Sequence, residues 1–375
     1  MSSAPFGTSS ADEPRSAPVY RESMPTIPTA PGLAALGWDE GWASALAELG
    51  DPQLVPARLS RVDRGVCTVM TGTDDVRVTA ERGMEVAVGD WVALGPGPTS
   101  GDRPRIASVL PRRCVFRRAA EGRGATPQIV AANIDTVLVC DALDGRLGLR
   151  HLERYLALAW QSGATPVVLI TKSDAASPEA VAEAVKAAEA VAEGAGVVVI
   201  SSATGEGVGD LAPYLVPGRT VTLLGLSGAG KSTLVNLLAG ADILATAAVR
   251  RDGKGRHTTT HRQLVLLPGG GLLIDTPGMR ALSVVGAGDG VEQAFRDVEA
   301  LAQDCEFADC AHAGERGCAL AAAVSDGRLD PGRLESWLRL RAERGASDYA
   351  AERRVVEDRK RRKATKTADR RTARP

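Results

Sequence analysis

The chain has 375 residues, with 45 Lys and Arg against 46 Asp and Glu, a formal net charge of −1. Its 44% hydrophobic and 24% charged content supplies cores for about two to three domains, and the near-neutral balance excludes a wholly basic nucleic-acid binder. No run has the length and apolarity of a membrane span or a secretory leader, so the cytoplasm is the expected compartment and membrane partners are set aside.

Residues 1–32 are rich in Ser, Pro, Ala and Thr and read as a disordered tail. Asp12, Glu13 and Glu22 interrupt it, which removes the acid-poor character of a transit peptide. Residues 33–50, with Trp38 and Trp42, read as a helical lead-in that packs on a domain. Across 51–113 the apolar runs are short and turns are frequent: Ala57 to Val62, Val66 to Met70, Val76 to Ala80 and Asp90 to Leu94. Such spacing suits a small OB-like β-barrel, with a generic ligand-free barrel as the alternative. Aromatic residues are only 3% of the chain, which argues against base stacking. Arg112, Arg113, Arg117, Arg118 and Arg123 suit backbone and shape contacts with RNA instead.

Residues 114–285 carry the nucleotide chemistry. Asn133 to Cys140 reads as a strand, as does Thr165 to Ile170, which leads into Thr171-Lys172-Ser173-Asp174. This is N-K-x-D with Thr in the first place. The Asp174 carboxylate can accept two hydrogen bonds from guanine N1 and N2, a donor pair that adenine lacks, while the Lys172 stem lies against the base. A further strand, Val197 to Ile200, ends in Ser201-Ser202-Ala203-Thr204-Gly205-Glu206-Gly207. A backbone N–H of this loop would read guanine O6, and the register leaves Ser202 and Ala203 both open.

The apolar run Val221 to Leu224 then enters Gly225-Leu226-Ser227-Gly228-Ala229-Gly230-Lys231-Ser232, followed by a helical segment from Thr233. Strand, G-x-x-x-x-G-K-S and helix in succession define a phosphate loop. Backbone N–H groups and the helix N-terminus would hold phosphate oxygens, Lys231 would reach the β- and γ-phosphates, and Ser232 would ligate Mg²⁺. Gly255-Arg256-His257-Thr258-Thr259-Thr260 reads as a mobile switch loop in which one Thr hydroxyl, Thr259 among the three, completes the Mg²⁺ shell; an ordinary polar connection is the alternative. Leu272 to Ile274 precedes Asp275-Thr276-Pro277-Gly278, where Asp275 would hold Mg²⁺ through water and the Gly278 N–H would sense the γ-phosphate.

Base-reading segments therefore precede the phosphate-binding ones. Ligands of a doubly wound sheet bind beyond the carboxyl ends of its strands whatever the chain order, so this is a GTPase-type domain cut open after its second switch.

Six cysteines fall into two sets. Cys67, Cys114 and Cys140 lie singly in apolar strands and read as buried small hydrophobes. The others form Cys305-x₄-Cys310-x-His312-x₅-Cys318, a ligand set for structural Zn²⁺. An odd number of clustered thiols disfavours a disulfide framework, and a catalytic Cys–His pair is the remaining alternative. Helical patterns flank the cluster at Val291 to Leu301 and Pro331 to Leu340, giving a zinc module over 286–345. The short segment from Met279 to Gly290 would let switch movement pull on it. The basic tail, 346–375, contains Arg359-Lys360-Arg361-Arg362-Lys363, suited to RNA phosphates or simply solvated.

From about Leu33 to Trp337 the permuted motif order, the G-R-H-T-T-T loop and the C-H-C cluster resemble the circularly permuted ribosome small subunit-dependent GTPase A family. The resemblance implies a multidomain fold: an N-terminal OB-like β-barrel, a central permuted α/β P-loop GTPase domain and a C-terminal α-helical zinc module. It implies GTP hydrolysis with Mg²⁺, one structural Zn²⁺, and stimulation by the small ribosomal subunit during its late maturation through rRNA contact. A monomer is expected. It also assigns water positioning to His257; from sequence alone a lone His is more often structural. Met279, where a common GTPase places a water-orienting Gln, cannot do so, and intrinsic turnover should be slow. Thr171 departs from the family's usual Asn, so one tie to the base or to the phosphate loop is expected to be lost. The competing readings are an RNA-binding scaffold that uses GTP with little turnover, and a P-loop ATPase or kinase.

Overall fold

The computed structural model describes residues 32–63, 66–97, 99, 102–118, 127–145, 147–241, 262–275 and 289–345. The N-terminal tail, the switch loop with His257 and Thr259, the turn with Gly278 and Met279, Arg123 and the basic tail lie outside them.

Strands β1 (Val55–Asp63), β2 (Val66–Met70), β3 (Asp75–Ala80), β4 (Trp91–Gly95) and β5 (Arg105–Val109) close a small barrel. β1 pairs antiparallel with β2 and β4, β4 pairs antiparallel with β5, and β3 meets β5 in parallel. That closure order, 1-2-3-5-4-1, is the Greek-key barrel expected from the strand spacing. Alternate residues such as Ala57 and Leu59, Cys67 and Val69, and Val92 and Leu94 point inward and form its core.

The second half of the sheet is built from β8 (Thr136–Ala142), β9 (Thr165–Thr171), β10 (Gly196–Val199), β11 (Thr220–Gly225), β12 (Gln263–Leu266) and β13 (Leu272–Asp275). Their order is 10-9-8-11-13-12, parallel except for β12. β8, β9 and β10 run outward on one side and β11 starts the other, so the strand order reverses between β8 and β11. A crevice at that point is where such sheets bind ligands. A hairpin of β6 (Val115–Arg118) and β7 (Gln128–Ala132) lies between barrel and sheet in the chain. Barrel and GTPase sheet are continuous: past an irregularity in β1 between Leu59 and Arg61, Arg61 pairs with Gln263 of β12.

Helices cover both faces. Helix α1 (Glu40–Ala47) follows the lead-in, and its Asp39 N-cap accepts from the Trp42 N–H at 3.1 Å. Helices α2 (Leu149–Ser162) and α3 (Pro178–Val191) bury Leu152, Leu156, Ala184 and Ala188 on one face of the sheet. Helix α4 (Lys231–Ala239) buries Leu234 and Leu238 on the other. The zinc module consists of α5 (Gly290–Ala294), α6 (Arg296–Ala302), α7 (Ala319–Ser325) and α8 (331–345). Its Val291, Phe295 and Trp337 join the core of α2, and Trp42 and Trp91 join the same core from the other end. The lead-in, the α2 face of the GTPase sheet and the zinc module thus share one buried cluster, beside the barrel's own core.

Two of the arginines expected to face RNA are engaged internally. Arg112 holds the buried Asp90 carboxylate through Nε at 2.6 Å and Nη2 at 2.8 Å. Arg113 forks onto Asp39 with both bonds at 2.6 Å and lies 4.2 Å over the Trp42 ring. Arg117 is exposed on β6.

Candidate functional site

The phosphate loop leaves β11 at Gly225. Its φ is +147°, and a Cβ there would sit 2.2 Å from the Cys140 carbonyl oxygen, so this position excludes side chains. Gly228 and Gly230 are left-handed, and α4 begins at Lys231 with Ser232 and Thr233 exposed on its first turn. Lys231 Nζ donates to the carbonyls of Gly225 at 2.9 Å and Leu226 at 2.5 Å, so the ammonium bends over the loop. The Thr222 hydroxyl donates to Ile274 O at 2.8 Å and fixes β11 against β13, the strand ending in Asp275. Burial pushes the Asp275 carboxyl up, and the Lys231 charge opposes that shift. The Ser232 hydroxyl and the Asp275 carboxylate are hard oxygen donors of the kind that fits Mg²⁺ and would be the residues to hold it.

The Thr171-Lys172-Ser173-Asp174 loop sits directly beside this one. The Thr171 hydroxyl is buried 3.1 Å from the Ala229 carbonyl of the phosphate loop and 3.3 Å from Asp141 O. It carries one proton, and the shorter contact gives the better bond. Of the two ties at stake, to the base or to the phosphate loop, the Thr171 hydroxyl makes the one to the phosphate loop. Lys172 adopts φ +59° and pairs with Asp144 at 3.1 Å. Asp174 Oδ1 accepts from the Ser201 hydroxyl at 2.5 Å, and Ser201 Oγ in turn accepts from the N–H groups of Ala203 at 3.2 Å and Thr204 at 3.1 Å. The two base loops are thus one hydrogen-bonded unit. Ala203 N–H has a partner in that unit, whereas among the described residues Ser202 N–H has none and the Ser202 hydroxyl is buried unpartnered. Ser173 opens a short 3₁₀ turn that presents Asp174 to solvent.

Sequence reasoning missed the loop 141–148. Asp141 closes β8, and its Oδ2 accepts from Gly148 N at 2.7 Å, at the start of α2. Leu143 N donates to Thr171 O at 2.9 Å. The only local signal was a strand running into Asp141-Ala142-Leu143-Asp144-Gly145.

In the zinc module, the ligand atoms of Cys305, Cys310, His312 and Cys318 all lie within 4.8 Å of one another. His312 Nδ1 is 3.6 Å from Cys305 Sγ and 3.9 Å from Cys318 Sγ. Bond lengths of about 2.3 Å to sulfur and about 2.0 Å to nitrogen give tetrahedral edges of roughly 3.5–3.8 Å, so the set fits one structural Zn²⁺. Glu315 orders the loop by accepting from Ala311 N at 3.2 Å and Ala313 N at 2.7 Å. His312 packs against Trp337 with ring centroids 5.3 Å apart.

A doubly wound sheet with its phosphate loop after its base loops defines a circularly permuted P-loop GTPase. Two solved structures share the fold: YjeQ from Thermotoga maritima, with a TM-score of 0.56 and 23% identity over 76% of this chain and 97% of that one, and YloQ, a circularly permuted GTPase, at 0.55 and 21% over 82% and 96%. The model of the RsgA GTPase family matches residues 109–285. The small ribosomal subunit biogenesis GTPase RsgA of Streptomyces coelicolor is 45% identical over 319 residues, covering 83% of this chain and 86% of the relative. That of Opitutus terrae is 43% identical over 342 residues, covering 86% and 91%. The chain belongs to the RsgA GTPase family.

Proposed function

We propose that this GTPase hydrolyses GTP on the maturing small ribosomal subunit, binding its rRNA and coupling turnover to that contact. The observation that carries the reading is the Thr171 to Ala229 tie, which sets the guanine-selecting loop against the phosphate loop. Asp174 accepts the guanine N1 and N2 donors, and the unpartnered Ser202 N–H reads O6 in preference to Ala203. Gly225, Leu226, Ser227, Gly228, Ala229, Gly230 and Thr233 surround the phosphates, with Lys231 supplying charge. Ser232, Asp275 through water, and Thr259 would hold Mg²⁺, which when bound would supply charge neutralisation at the phosphates. Gly278 senses the γ-phosphate. The relatives' names support the small subunit as partner, and the run of Arg359 to Lys363 suits contact with rRNA phosphates. No helix among the described residues is long and apolar enough to cross a membrane. A cytoplasmic monomer accords with this role.

Hydrolysis of GTP and ATP, each with and without purified small subunits, tests the reading. GTP turnover that rises several-fold or more with subunits supports it; equal use of ATP, or no turnover in any arm, overturns it. His257 positions the attacking water once the subunit orders the switch loop. His257→Ala is accordingly expected to retain GTP affinity and lose stimulated turnover by about 10²-fold, measured as kcat with saturating subunits. Thr171→Val removes the hydroxyl donor while keeping the shape. GDP affinity is expected to fall about five- to tenfold by fluorescent-nucleotide titration, the value of one buried hydrogen bond.

A further inference from the structure

Helix α2 lies between the GTPase sheet and the zinc module and is held by both. Leu152 and Leu156 face the sheet-side core. Another stripe of the helix, at positions 150, 153, 154, 157 and 161, meets the module. Arg150 pairs with Glu335 at 2.6 Å, and Arg154 forks onto Glu343 at 2.5 and 2.8 Å. At the centre Arg333 Nη1 donates to Glu153 Oε1 at 3.0 Å, with side chains only 7% and 3% exposed. The same guanidinium forks onto Asp297 at 2.7 and 2.5 Å, donates to Ala294 O at 3.0 Å, and stacks over Phe295. Gly290 lies so close to α2 that a Cβ would come within 2.3 Å of Ala157 O and 2.5 Å of Gln161 N.

These contacts fix the position of α2 along its axis. Arg333 is oriented by its fork onto Asp297 within the module and gives Nη1 to the buried Glu153 of α2, so sliding the helix would leave the Glu153 carboxylate unpaired in the interior. The helix begins at Gly148, whose N–H is bonded to Asp141, in the loop that also supplies Leu143 N to Thr171 O and Asp144 to Lys172. The chain of contacts from Arg333 through α2 to the T-K-S-D loop is continuous.

Resting on the guanine-pocket reading above, we infer that Arg333 is a positioning residue for guanine nucleotide binding: the docked zinc module, acting through α2, holds the base-reading loop in its binding geometry. The module then acts on the nucleotide through a packed helix, a route distinct from the segment between Met279 and Gly290. By reciprocity, nucleotide binding steadies the module's hold on α2.

The test uses the full chain. Arg333→Met, with zinc content confirmed at wild-type level, is expected to bind GDP about fivefold or more weakly, the range of ordinary coupling between sites. Its kcat at saturating GTP should be unchanged while KM rises. Amide exchange should quicken over 141–148 and 171–175 but not over α4. Arg333→Lys keeps the charge facing Glu153 and should recover part of the affinity. If Arg333→Met fails to fold, Glu343→Ala, which removes the half-buried pair with Arg154, should show a smaller loss in the same sense. Wild-type selectivity for GDP over ADP with unaltered GDP affinity in the folded variants overturns the inference alone. Wild-type protein that holds ADP as tightly as GDP removes the guanine pocket and this inference together.

Discussion

Asp174→Asn is expected to turn the protein from a guanine binder into a xanthine binder. In the wild type the carboxylate has two oxygens for the guanine N1 and N2 donors, and one of them also accepts from Ser201 at 2.5 Å. Asn keeps an oxygen for Ser201 and one acceptor lone pair, but puts an NH₂ where the second acceptor stood. Guanine then meets donor against donor. Xanthine carries a carbonyl in place of the exocyclic amine, so the same NH₂ finds an acceptor. A hydrogen bond to a charged group is worth about 1.5–3 kcal/mol and a neutral one about 0.5–1.5, so losing one bond outright and the charge on the other costs roughly 3–4 kcal/mol, or about 10²–10³ in GDP affinity. The variant should bind xanthosine diphosphate more tightly than GDP, with the wild type showing the reverse, in paired titrations of both nucleotides on both proteins. Retention of wild-type GDP affinity would place Asp174 outside the base contact and would favour a nucleotide site blind to guanine.

The sequence is most legible where the chemistry is local. A phosphate loop needs glycines at positions of unusual φ and a Lys on the first helical turn, so Gly225, Gly228, Gly230 and Lys231 write it into eight consecutive residues. The Cys and His ligands fall within 14 residues and are legible for the same reason. Barrel strands such as β2 could be read from alternation, and the strands of the sheet from unbroken apolar runs, both local properties. Contacts between distant segments left no such trace. Thr171 looks like a defect in its motif, and only the placement of Ala229 beside it shows that a hydroxyl reaches what an amide would have reached. Nor does the sequence show that Arg112 and Arg113 pair with Asp90 and Asp39. Glu153 and Arg333 are 180 residues apart, and neither stands in a recognisable pattern.

Arg58→Met is the substitution expected to damage the fold most, and to do so without touching the nucleotide. Arg58 is 2% exposed, and among the described residues no carboxylate bonds to it. Its donors go instead to three backbone carbonyls: Leu36 in the lead-in, Gly89 at 3.4 Å in the turn before β4, and Asn133 at 2.9 Å just before β8. Trp91 lies 5.5 Å from the guanidinium. Desolvation lowers the Arg58 pKa to about 10, against the pull of Asp135 and Asp90, so the group remains cationic at neutral pH. One side chain thus joins the lead-in, the barrel and the GTPase sheet. Met fills much of the volume but satisfies none of the carbonyls. Relief of the buried charge offsets part of the loss, and a net destabilisation of about 2–4 kcal/mol remains. Lysine is expected to rescue little, because a single ammonium cannot span three acceptors as the planar fork does. Asn133 and Gly218, which packs on the lead-in through its N–H to Ala35 O, precede β8 and β11 and lie at the amino ends of those strands, opposite the phosphate loop. The folded fraction should therefore keep wild-type GDP affinity while residues 33–48 lose amide protection and the urea midpoint falls. A midpoint equal to wild type would mean that the cage of carbonyls holds nothing together, and that the β1–β12 pairing and the shared core alone join the barrel to the GTPase sheet.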